Sequence, residues 1–157
     1  MERFSNKVTK ILQDGGWSEN RVVDTGKFEE ALKKEGFQVF PSVINFLKGF
    51  GGLRFNDPGA EPPAVSNFHF VAEESAGGQA PYVKKHYSSV LGAELCVVGE
   101  AADNYMLLMM DERGRFFAGY EDEFMYLGDS VVEAIEALCD QRELPSVKDY
   151  LARTRRV

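Results

Sequence analysis

The chain has 157 residues, 44 % of them hydrophobic and 12 % aromatic, with a formal charge of −7. Such a length and composition suit one folded domain, residues 1–157, with a substantial core, and exclude a disordered chain. No apolar run approaches the ~18 residues of a membrane span, and the amphipathic start "MERFSNKVTK" lacks the apolar stretch and cleavage site of a signal peptide.

Helices come first. Phe4, Val8, Ile11 and Leu12 share one helical face, and Gly15-Gly16 stops that helix. Asp24 or Thr25 caps a second helix, with Phe28, Ala31 and Leu32 on its buried face and Gly36 beyond its end. Pro41 suits the first turn of a third, where its missing N–H has no partner to lose. Val43, Phe46, Leu47 and Phe50 follow at helical spacing, and Gly51 falls where a left-handed residue is wanted. A phosphate cradle places its glycines before a helix, usually with Lys-Ser or Lys-Thr. In "FLKGFGGLRF" they follow one, so Gly51 and Gly52 are read as turning the chain.

Strands follow. "LRF" and the alternating "NFHFVA" are short strands, the second with Phe68 and Phe70 on one face and His69 on the other. "EESAGGQ" reads as a flexible connection. Pro81 opens a helix that buries Val83, Tyr87, Val90 and Leu91 and ends at Gly92. "ELCVVGE" is a strand. "YMLLMM" is apolar without alternation, which predicts a strand covered on both faces and central in its sheet. "DERG" is a hairpin turn with Gly114 at its positive φ position, "RFFAGY" returns beside it and "FMYLG" adds one strand more. Ser130 caps a helix with Val131, Ala134, Ile135 and Leu138 on one face. A last short helix surrounds Val147, Tyr150 and Leu151, and the tail "RTRRV" frays. The order predicts an α+β domain: N-terminal helices, a mainly antiparallel sheet of five or six strands and a C-terminal helix.

The charge is unevenly placed. Residues 1–99 carry 12 acids and 11 bases, and residues 130–157 carry five of each. Residues 100–129 carry eight acids, Glu100, Asp103, Asp111, Glu112, Glu121, Asp122, Glu123 and Asp129, against only Arg113 and Arg115. This balance repels nucleic-acid phosphates and anionic membranes and attracts a basic partner, although solubility alone would also account for it.

No residues nominate a reaction. His69 reads as a half-exposed strand histidine and His86 as a solvated helical one. No HxxxH, HxH or CxxC spacing offers a metal site. Cys96 and Cys139 read as small buried hydrophobes in a reducing, cytoplasmic compartment. Glu121-Asp122-Glu123 lacks the spaced oxygen ligands and central glycine of a calcium loop, and Ser42, Ser88, Ser89 and Ser130 lack a nucleophile elbow.

Three stretches, "GGWSENRVVD", "FEEALKKEGFQVFPSVINFLKGFGGLRF" and "YLGDSVVEAIEAL", carry a family likeness. Their ordered features are Gly16-Trp17 with Arg21, a helix ending in Gly36-Phe37, the Phe50-Gly51-Gly52-Leu53 turn and Leu127-Gly128 before a helix. With "LGAELCVVGE" and "LLMMDERGRFFAGY" between them, the chain resembles the SUKH superfamily of bacterial immunity proteins, most closely its third subgroup, over roughly residues 12–140. The resemblance implies an intracellular antitoxin that neutralises a toxin domain, often a nuclease or deaminase, by direct binding, with no catalysis and no cofactor. Its motif residues, Trp17, Arg21, Gly51, Gly52 and Gly128, are implied to be structural. Arg21 at i+4 could stack on the Trp17 indole; the functional reading of the pair is a family binding feature, and the competing structural reading makes Trp17 the anchor of the first helical hairpin.

A nuclease carries positive charge to hold its substrate, so an acidic inhibitor surface can compete for it. Glu100, Asp103, Glu121, Asp122 and Glu123, with Tyr105 and Tyr120, are therefore the candidate contact residues; for both tyrosines sheet packing is the competing explanation. Two other function classes stay open: a cytoplasmic adaptor or regulatory scaffold on the same fold, and a small hydrolase.

Overall fold

The computed structural model describes residues 3–141 and 143–154; the last residues of the "RTRRV" tail lie outside them. Three helices, α1 (Asn6–Asp14), α2 (Gly26–Lys34) and α3 (Pro41–Phe50), precede strands β1 (Arg54–Asn56) and β2 (Asn67–His69). A short α4 (Ala72–Ser75) follows, and then α5 (Ala80–Val83) runs through a π-helical stretch, Lys84–Ser88, into α6 (Ser89–Leu91). Four strands form a meander, β3 (Leu95–Ala101), β4 (Met106–Asp111), β5 (Phe116–Tyr120) and β6 (Glu123–Gly128). Helices α7 (Val131–Leu138) and α8 (Val147–Thr154) close the chain. The six strands pair antiparallel in sequence order, an α+β fold.

Local chemistry sets the helix ends. The Ser5 hydroxyl accepts the Val8 N–H at 3.3 Å and caps α1. Phe4, expected inside that helix, precedes the cap and turns edge-on to Trp17 with ring centres 5.5 Å apart. Trp17 stacks on Phe50 of α3 at 5.5 Å. Instead of stacking on the indole, the Arg21 guanidinium donates to the Gly49 and Gly51 carbonyls at 2.8 and 2.9 Å, groups that a helix end leaves without an intrahelical donor.

The left-handed residue after α3 is Gly52 (φ +85°), one position later than expected; Gly51 is extended at φ −59° and ψ 135°. Gly51 is glycine for space, since a Cβ there would lie 2.6 Å from both the Leu47 carbonyl oxygen and the Phe28 ring.

Helices cover both faces of the sheet. Strand pairing puts Met106, Leu108, Met110, Phe116, Ala118, Tyr120 and Met125 on one face, and Met109, Phe117, Gly119, Phe124 and Tyr126 on the other. On the first face Phe46 of α3 meets Phe116 at 5.1 Å, and α7 crosses Gly128 so closely that a Cβ would lie 2.6 Å from that of Glu133. On the second face Tyr87 of the π-helical stretch stacks on Phe124 at 4.9 Å, and Tyr150 of α8 stacks on Tyr126 at 3.9 Å. Leu108, Met109 and Met110 are buried accordingly, as expected of a central strand.

Three further expectations are corrected. The segment "EESAGGQ" begins inside α4. Val90 is 36 % exposed, because the wider π turn rotates it out of the helix's buried stripe. His69 is buried at 5 % exposure, because the turn after β3 folds over it.

Candidate partner-binding surface

In an antiparallel meander alternate turns share an end of the sheet. The β3–β4 and β5–β6 turns lie together, and the β4–β5 turn lies at the opposite end with the close of β6. This splits the acidic segment. Glu100, Asp103, Glu121, Asp122 and Glu123 fall at the first end; Asp111, Glu112 and Asp129 fall at the second with Arg113 and Arg115.

At the second end the charge is largely answered. Asp111, 1 % exposed, accepts the Arg115 Nε–H at 2.7 Å and the Arg115 backbone N–H at 2.9 Å. The same guanidinium donates to the Tyr150 hydroxyl at 3.3 Å, and Asp129 accepts the Tyr126 hydroxyl at 2.7 Å.

At the first end Asp103, Glu121, Asp122 and Glu123 are exposed. Tyr105 is 70 % and Tyr120 37 % exposed, and their rings meet edge-on at 6.2 Å, so the structure brings the two turns together through their aromatics. Glu100 stands apart from this set. It is half-buried, with Oε1 3.4 Å from His69 Nε2.

Both turns are held from beneath. Ala102, Asp103 and Asn104 have φ of +53°, +57° and +69°, a left-handed region that costs non-glycine residues about 1–2 kcal/mol each. Strand β2 offsets that cost. Asn67 Oδ1 accepts the Asp103 N–H at 2.9 Å while its Nδ2 donates to Asp103 Oδ1 at 2.6 Å. His69 Nδ1 accepts the Val71 N–H at 3.1 Å, which places the ring proton on Nε2, 3.0 Å from Asn104 Oδ1.

The acidic turn hangs on Tyr87, whose hydroxyl donates to the Glu121 carbonyl at 2.6 Å, where Glu121 sits at φ +52°. Gly119 makes room for that ring, since a Cβ would lie 2.5 Å from it. Burial, then Tyr82 and the charges of Asp122 and Glu121, push the Tyr87 phenol well above its ordinary value, so the hydroxyl stays a donor.

Beside the tyrosines the cover of the first sheet face is incomplete. Helices α3 and α7 reach Phe116 and Gly128, but Met106 and Met125 are only half-buried. With Val65 and Leu144 they line a groove of about 880 Å³ bordered by Tyr105, Tyr120, Asp122 and Glu123. Elsewhere burial pushes the free thiols of Cys96 and Cys139 up to about 12, which leaves both protonated and unreactive near neutral pH. Among the described residues no three His, Cys, Asp or Glu side chains converge as a metal site, and no helix is long and apolar enough to cross a membrane.

The sequence profile of the SUKH-3 immunity protein family matches residues 4–141, most of the chain. The chain belongs to that family. No curated protein and no solved structure matches it. Within this SUKH-3 protein, sequence patterning singled out the acids and tyrosines of the two turns but missed what positions them. Asn67 looked like an ordinary strand start, His69 like a surface residue and Tyr87 like generic core. One signal was present for Tyr87: a glycine inside the strand "FFAGY", where a close neighbour is the usual reason. Met106 and Met125 were hidden within apolar strands.

Proposed function

We propose that this protein is a bacterial immunity protein that neutralises a cognate toxin domain by direct binding in the cytoplasm, with no bond made or broken on it and no cofactor. Family membership supports the immunity role. One observation carries the finer reading: four exposed acids, Asp103, Glu121, Asp122 and Glu123, surround Tyr105 and Tyr120 at the end of the sheet opposite Arg113 and Arg115. Exposed, predominantly acidic charge beside exposed aromatics suits a protein partner with a basic surface, such as a nuclease or deaminase, because aromatics anchor interfaces while opposite potentials speed encounter by 10–10³. The same field opposes nucleic acid and anionic membrane as partners.

Glu100 contributes differently in this account. Half-buried beside His69, it adds to the local potential rather than to direct contact. Trp17, Arg21, Gly51, Gly52 and Gly128 act on the fold, through the aromatic stack on Phe50, the closure of α3 and the close approach of α7.

Co-expression with the toxin domain encoded beside this gene tests the role. The expected outcome is survival of the host and a stable complex on size-exclusion chromatography. Death of the host with no complex, or turnover of the toxin's substrate by this chain itself, would overturn the proposal.

A further inference from the structure

We infer that the groove beside Tyr105 and Tyr120 receives an extended segment of the toxin domain in which a bulky apolar side chain stands between Lys or Arg residues. The inference rests on the neutralisation reading and adds what the partner must present. Within the groove's apolar lining, Val65, Met106, Met125 and Leu144 are partly exposed, above the buried Phe124, Leu138 and Val147. Methionine side chains are flexible and polarisable and can close around a bulky guest. Charge selects what flanks that guest. Asp122, Glu123 and Glu143 border the groove against Lys148, and Asp103 and Glu121 are exposed on the adjoining turns.

A small-molecule site of comparable size fixes its ligand with a few polar groups converging in its interior. Here the carboxylates Asp122, Glu123 and Glu143 are all exposed to solvent, an arrangement that suits flanking cations on a longer chain. The positioning described above gives the site its pre-organisation. Asn67 and His69 hold the turn that presents Tyr105, and Tyr87 holds the turn that carries Glu121 and Asp122. A site fixed before binding loses less entropy when the partner arrives.

Methionine-methyl NMR of the whole chain reads occupancy directly, because Met106 and Met125 line the groove while Met109 and Met110 are buried and serve as internal references. The probe is the peptide Lys-Arg-Trp-Leu-Lys-Arg with blocked ends, compared with a twin carrying Glu for every cation and a twin carrying Gly-Gly for Trp-Leu. The basic apolar peptide is expected to shift Met106 and Met125 alone. The two twins are expected to bind at least about tenfold more weakly, as is the first peptide to Tyr105→Ala, a truncation at an exposed site. Equal binding of the acidic twin, shifts spread away from Met106 and Met125, or no shift at millimolar peptide would overturn the inference. So would a change in self-association in Tyr105→Ala on light scattering, which would assign the groove to a second copy. Met125→Arg separates this inference from the reading beneath it. Capture of the toxin by that variant at wild-type strength removes the groove alone, whereas failure of the wild-type chain to capture toxin removes neutralisation itself.

Discussion

The two ends of the β3–β6 meander are built from one acidic stretch of sequence and differ in what happens to the charge. At the β4–β5 end Asp111 is buried against Arg115, and Tyr126 and Tyr150 add hydroxyl contacts to Asp129 and Arg115. At the β3–β4 and β5–β6 end the acids are exposed, and the hydrogen bonds that hold the turns come from Asn67, His69 and Tyr87. At one end Asp111 and Asp129 are part of the fold's internal bonding. At the other, apart from Glu100, the fold supports the backbone and leaves most of the charge to the solvent. Charge bonded within the fold and charge left exposed can thus be separated by where a meander turns.

That contrast breaks most easily at Asp111. Asp111→Ala leaves the Arg115 guanidinium, largely enclosed, without its carboxylate and is expected to cost about 3 kcal/mol of folding stability, read by chemical denaturation, with toxin affinity unchanged. A stable variant would mean that the pairing at this end is incidental. Tyr87→Phe removes one hydrogen bond beneath the acidic turn. It should cost about 1 kcal/mol and slow toxin association several-fold, as a turn that must be ordered on encounter would. Lost stability with unaltered association would make Tyr87 a core residue only. Glu112→Lys sharpens the comparison from the other side. It reverses one charge at an exposed position of the β4–β5 end and should move both stability and affinity by less than about 0.5 kcal/mol.

Most of the fold could be read in the sequence because its signals are local. Pro41 marks the start of α3, Ser130 caps α7, the unbroken run in "YMLLMM" marks the interior strand, and Gly114 marks the hairpin at φ +84°. The errors arise where a distant neighbour decides. Gly51 looked like a left-handed stop, yet its role comes from Phe28, a contact no spacing rule encodes. His69 looked half-exposed because β2 alternates, yet the left-handed turn at 102–104 closes over it. The acids and tyrosines of the candidate surface were visible as composition. Their separation into two ends was not, because it depends on strand lengths and meander order together.

Affinity for the toxin domain measured against salt is the most direct test of the central claim, with the wild-type chain beside the triple variant Glu121→Lys, Asp122→Lys, Glu123→Lys. An exposed acidic end that recruits a basic partner predicts wild-type affinity that falls steeply with salt, and a variant weakened about 100-fold or more at low salt with a flat or inverted slope. Equal affinities and equal slopes for the two chains would contradict it.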